Sequence, residues 1–326
     1  MRSMSAAALA ALVIAGCGGR KAERDAGPAV VRTLPAPDAT PDTPKPPLTI
    51  DPPAISLPNE MSFTLLEPGT GARASLRYQL ASAAERELAS ATKVTTRTNF
   101  AGEWKDAVTL PAMRDGFGVS TSSDVVHLRG LEATVDDGDA GAVTQARRYM
   151  ARARGLLEKR RADAFVDARG RLQRVALLGV PAQTRSDVVD EITQRWLSVA
   201  VPLPEEPVAV GARWRVVTAL RASDIIVKQT VTYRLAAADA TTWTIEITAE
   251  RIGERQMVPT GVPDSEGELL GLKRTLEGRV VVGRNDPLPL RGKLSSETVI
   301  HVRLKSKDQV VEALSEDKGA IELGAP

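Results

Sequence analysis

In the second half of the chain, apolar and polar side chains alternate with period two. Trp214, Val216, Thr218 and Leu220 share one face of the first such run; Ile225, Val227, Val231, Tyr233 and Leu235 follow, then Trp243, Ile245, Ile247 and Ala249. Leu276, Val280 and Val282 extend the pattern, and Leu294, Ile300, Val302 and Leu304 end it, with Lys228, Thr232, Arg234, Glu246, Thr248, Glu277 and Arg303 on the alternate positions. Such alternation over several segments predicts antiparallel strands with one apolar and one wet face. Between Arg255 and Leu272 it is broken by Pro259, Gly261, Pro263 and Gly267, and a long loop is expected there. Shorter alternating runs occur earlier, at Leu76, Tyr78 and Leu80 and at Val94, Thr96, Thr98 and Phe100, and a weaker one lies between Val108 and Val135.

Two segments carry a helical period instead. From Ala140 to Lys159, Val143, Ala146, Tyr149, Met150, Ala153, Leu156 and Leu157 fall in one arc of about 140°, with Arg147, Arg148, Arg152 and Lys159 opposite. The basic face reads either as a solvated outer surface or as one that meets anionic lipid headgroups. Asp136-Asp137-Gly138-Asp139 lacks the spacing of a helical calcium loop and reads as a turn into this helix. The second helix is expected from Ser186 to Ala200, with Val188, Val189, Ile192, Trp196 and Val199 on one face and Pro202 and Pro204 marking its stop. Between the helices, Asp167 and Gly170 sit where a hairpin turn from Phe165 to Leu172 needs them.

The amino terminus is patterned differently again. Arg2 is followed by an apolar run through Leu9, Leu12, Val13 and Ile14, closing on Ala15 and Gly16. That is a secretory signal layout, too short for a membrane span of about 20 residues. From Gly18 to Pro58 the chain is polar and rich in proline, which favours extended conformations and a tether on the order of 100 Å. Residues 1–16 thus read as signal, 17–58 as anchor cysteine and tether, and 59–326 as one β-rich globular domain.

Composition narrows the functions. The 43 basic and 41 acidic side chains nearly cancel, and aromatic residues make up 3%. Neither a global positive field nor stacking platforms are available for nucleic acid. Two histidines, His127 and His301, have no neighbouring ligand pattern, and no nucleophile elbow, phosphate loop or dinucleotide fingerprint occurs. The expectation is a non-catalytic protein without metal or cofactor. A hydrolase would require convergent carboxylates or a Ser-His pair in a pocket.

Cys17, the one cysteine, follows Ile14-Ala15-Gly16 in a sequence that resembles the lipobox of bacterial lipoproteins. The resemblance implies acylation of Cys17, cleavage before it, and a membrane partner held through the acyl chains; Gly18 in place of Asp favours the outer membrane over the inner. Further on, Pro204, Pro207, Val208, Val210, Gly211 and Trp214 resemble the "P-x-x-P-V-x-V-G-x-x-W" element of a family of uncharacterised bacterial lipoproteins, a likeness that implies no activity. A looser likeness is to lipoprotein-localisation and lipid-carrier lipoproteins. The expected architecture is mainly β (α+β): a curved antiparallel sheet or half-barrel with two packed amphipathic helices. Its sheet face, including Trp214, Val216, Val231, Tyr233, Ile245 and Ile247, is expected either to hold a lipid acyl chain or a segment of an envelope protein, or to be a filled core in a scaffold module.

Overall fold

A computed structural model describes residues 55–56, 61–154, 160–180, 185–222, 225–258, 260, 265–306 and 309–324. The signal, the lipobox residues Ile14, Ala15 and Gly16, Cys17 and nearly all of the proline-rich tether lie outside the described residues. The strands are β1 (Ile55–Ser56), β2 (Met61–Glu67), β3 (Ala83–Phe100), β4 (Glu103–Trp104), β5 (Val108–Thr109), β6 (Met113–Ser122), β7 (Val125–Gly130), β8 (Thr134–Val135), β9 (Arg161–Val166) and β10 (Leu172–Leu178). They continue with β11 (Arg213–Ala222), β12 (Ile225–Ala238), β13 (Thr242–Gly253), β14 (Gln256–Val258), β15 (Ser265–Gly283), β16 (Asp286–Ser306) and β17 (Gln309–Gly324). The helices are α1 (Ala140–Arg154) and α2 (Arg185–Val199).

All strands join one antiparallel sheet, ordered β1-β10-β9-β7-β6-β3-β17-β16-β15-β13-β12-β11-β2, with β4 and β5 on β3, β8 on β6 and β14 on β15. The outermost strands, β1 and β2, are separated in the chain only by residues 57–60. A link of that length reaches roughly 18 Å at most, so the sheet must curl until its edges are near each other. Among the described residues β1 pairs only with β10 and β2 only with β11, and the curl stops short of a closed barrel.

Two expectations fail. Leu76, Tyr78 and Leu80 do not form a strand: residues 75–82 are irregular, and Leu76 and Tyr78 are buried as plugs instead. Tyr78 donates its hydroxyl hydrogen to the Val201 carbonyl at 2.8 Å, and its ring meets Trp243 edge-on. Alternation also arises where an irregular segment crosses a core edge. The expected loop from Arg255 to Leu272 is largely strand, since β14 spans Gln256–Val258 and β15 begins at Ser265. Gly267 tolerates pairing because its missing Cβ would sit 2.7 Å from the Val258 carbonyl oxygen.

The local readings of the helices hold better. Asp139 Oδ1 accepts from the backbone N–H of Gly141 and Ala142, capping α1 as the turn reading requires. In the hairpin between β9 and β10, Asp167 Oδ1 accepts from the N–H of Arg169 and Arg171, while Gly170 takes φ +75. α2 buries Val188, Val189, Ile192 and Trp196 against β7, β9 and β10. A second cluster lies under β11, β12, β13 and β15, where Trp214 stacks on Tyr233 at 5.6 Å.

Candidate ligand-binding cavity

The chain leaving α2 seals one half of the concavity. Trp214 donates its Nε1–H to the Pro202 carbonyl at 2.8 Å, and Leu203, Val208 and Ala212 are fully buried around it. Gly211 turns the chain at φ +89, and Gly69 lies so close that a Cβ there would sit 2.4 Å from the Ala209 carbonyl oxygen. The residues read as ligand face or core, Trp214, Val216, Val231, Tyr233, Ile245 and Ile247, all belong to this packed cluster, none more than 6% exposed. The voids beside them are about 10 and 30 Å³, at most room for a water.

The other half is open. Between α2 and the inner faces of β3, β6, β13, β15, β16 and β17 lies a cavity of about 480 Å³, within the size range of small-molecule sites, about 300–1,000 Å³. Leu88, Val94, Leu128, Leu272, Ile300 and Ile321 supply much of its wall, and Ile192, Trp196 and Val199 of α2 its roof.

A polar row crosses the sheet at the boundary between the filled and the open half. In register, Thr218 of β11 faces Gln229, Gln229 faces Arg251, Arg251 faces Arg274, Arg274 faces Thr298, Thr298 faces Asp317 and Asp317 faces Thr96. Arg251, Arg274, Thr298 and Asp317 line the cavity. Arg251 Nε donates to Gln229 Oε1 at 2.5 Å and Nη2 to Ser198 Oγ at 2.6 Å, which ties β13 to the last turn of α2. Gln229 is itself held by its Nε2–H to the Leu197 carbonyl. Arg274 Nε is buried with no hydrogen-bond partner among the described residues.

The electrostatics are unbalanced at this row. Burial, and then the like charge of Arg274, lower the Arg251 guanidinium below the usual arginine value. Burial raises the Asp317 carboxyl, with Ser315 and Arg274 pulling it partly back. Arg195, elsewhere on the wall, contrasts with this. Burial opposes its charge, yet Glu191 at 2.5 Å and Asp115 at 2.7 Å more than compensate and raise it.

The basic helix is only partly described. Arg147 is exposed on α1, whereas the side chains of Arg148 and Arg152 and the whole of Lys159 lie outside the described residues. The two histidines are each paired. His301 Nε2 lies 3.3 Å from Glu312 rather than beside Glu297, whose partner is Lys318. His127 Nδ1 lies 2.8 Å from Asp163, and its Nε2 3.2 Å from Ser122 Oγ. Ser122, His127 and Asp163 therefore form a nucleophile, base and orienting carboxylate in order. Acyl transfer further needs donors aimed at a developing oxyanion. The trio sits on the convex face, since Val126, Leu128, Ala162 and Ala164 of the same strands point inward to the core.

Sequence reasoning missed Arg251, Arg274 and Asp317. A signal for the arginines was present: Arg251 shares its parity with Trp243, Ile245, Ile247 and Ala249, and Arg274 with Leu276, Val280 and Val282. A charge on the inward row of an alternating strand is an anomaly that points to function. No protein-family model matches the chain, and no curated protein matches it.

Proposed function

We propose that this chain is an envelope lipoprotein, acylated at Cys17, that works by binding an apolar chain in the concave cavity rather than by catalysis. The observation that carries the reading is the cavity of about 480 Å³, walled by aliphatic side chains of β3, β15, β16 and β17 and roofed by α2. An acyl chain entering it gains roughly 0.8 kcal/mol per buried methylene, so about ten buried methylenes supply the roughly 8 kcal/mol that corresponds to micromolar binding, before association costs are subtracted. The lipobox Ile14-Ala15-Gly16-Cys17 and the proline-rich stretch behind it support anchoring at a membrane, with the outer membrane favoured by Gly18. The Pro204 to Trp214 element supports kinship with the uncharacterised lipoproteins that it resembles.

Native mass spectrometry of the protein purified from its membrane fraction tests the reading. The expected result is a non-covalent adduct with the mass of a lipid or fatty acid, lost on denaturation. A bare mass, together with failure of fatty acids to bind when added, would leave the domain as a scaffold that meets protein partners.

A further inference from the structure

We propose that the cavity selects an anionic amphiphile, with the Arg251–Arg274 pair holding the anionic headgroup while the aliphatic wall takes the chain. This rests on the reading of the cavity as an acyl-chain site and adds the chemistry of the headgroup. The two guanidinium-bearing residues stand directly opposite on the antiparallel strands β13 and β15. Like charges in that position destabilise a sheet. Among the described residues neither is paired with a carboxylate, although every other arginine of the cavity wall is: Arg195 has both Glu191 and Asp115. The nearest acidic residue along the row, Asp317, faces Thr298 and so stands two strands beyond Arg274.

The placement of these side chains is built rather than incidental. Gln229 and Ser198 fix two nitrogens of Arg251, which leaves its remaining donor capacity toward the cavity. Arg274 keeps Nε buried and without a partner. A guanidinium stays charged at neutral pH, so the mutual repulsion is relieved by an anion and not by loss of a proton. Planar forks of this kind match carboxylate and phosphate oxygens alike. Aliphatic walls around a doubly cationic patch fit a fatty acid or a phosphate-bearing lipid, and fit a neutral lipid poorly.

Displacement of a neutral fluorescent probe from the purified protein by laurate, dodecyl phosphate, dodecanol and inorganic phosphate tests the proposal. The expected result is that at least one of laurate and dodecyl phosphate binds about tenfold or more tightly than dodecanol. Whichever of the two binds better identifies carboxylate or phosphate as the headgroup. Arg274→Gln should remove that preference by weakening laurate and dodecyl phosphate to about the affinity of dodecanol, and Asp317→Asn, which removes the carboxylate of the row, should widen it. Equal binding of all three amphiphiles, or a preference untouched by Arg274→Gln, overturns the headgroup assignment and leaves the chain site standing. Inorganic phosphate binding as tightly as dodecyl phosphate also overturns it. If no amphiphile displaces the probe or binds by calorimetry, the underlying reading fails and the headgroup assignment with it.

Discussion

Trp214 has its ring stacked on Tyr233, its Nε1–H on the Pro202 carbonyl and no exposed surface. Trp214→Ala should therefore cost about 3–5 kcal/mol in chemical denaturation, the range for removing a large buried aromatic. Tyr78→Phe keeps the edge-on contact with Trp243 and loses only the bond to Val201, so about 1–2 kcal/mol is expected from the same measurement. Asp317 gives a pH signature. Its carboxyl is raised by burial, so the folded state holds a proton that the unfolded chain has already released. Stability is then fully present below the ordinary aspartate range and is lost as pH climbs through the raised folded value. Thermal melts across mildly acidic pH should show that slope in the native protein and not in Asp317→Asn. On the convex face, a serine-reactive fluorophosphonate should leave Ser122 unlabelled; labelling that depends on His127 would turn the trio with Asp163 into a catalytic proposal and overturn the non-catalytic one. Trp196 and Trp214 were legible as core anchors because a large aromatic on an apolar face has few alternatives. Tyr78 was legible only as an apolar position, because its partner carbonyl at Val201 lies far away in the chain.

Among the elements, those governed by local chemistry were readable. Asp139 caps α1, Asp167 and Gly170 close the hairpin, and Pro202 and Pro204 follow the end of α2, all within a few residues of the features they control. Asp139→Ala should loosen the first turn of α1 by about 1 kcal/mol, visible as faster amide exchange at Gly141 and Ala142, the N–H groups it now satisfies. β14, the start of β15 and β17 were not readable. Pro259, Gly261 and Gly267 spell a loop by composition, yet β14 pairs with β15 from Gln256 to Val258 and β15 pairs with β16 from Ser265. Those partners lie up to about forty residues away, and local propensity carries no information about them. The polar row shows the same limit. These strands display polar residues on their inward faces, but only the register sets Gln229, Arg251, Arg274, Thr298 and Asp317 side by side.

At the scale of the whole molecule, the sheet curls because β1 and β2 are tied together through residues 57–60 while standing at opposite ends of the strand order. α2 then fills one half of the concavity together with the Pro202 to Trp214 segment and roofs the other half. The proposed anchoring through Cys17 belongs to this scale as well. Cys17→Ser should abolish incorporation of labelled palmitate and move the protein from the membrane to the soluble fraction, since two or more acyl chains are what hold such a chain to a bilayer. The sequence by itself determined the class of the fold, because a side-chain period of two over many segments is a property of each strand alone. It also determined the two helices, the turn that leads into α1 and the expectation of an anchor. Tertiary structure alone decided which inward faces became packed core and which became cavity. That choice depends on where α2 and the segment after it come to rest, and on a strand register that brings Arg251 opposite Arg274, neither of which any single stretch of chain contains.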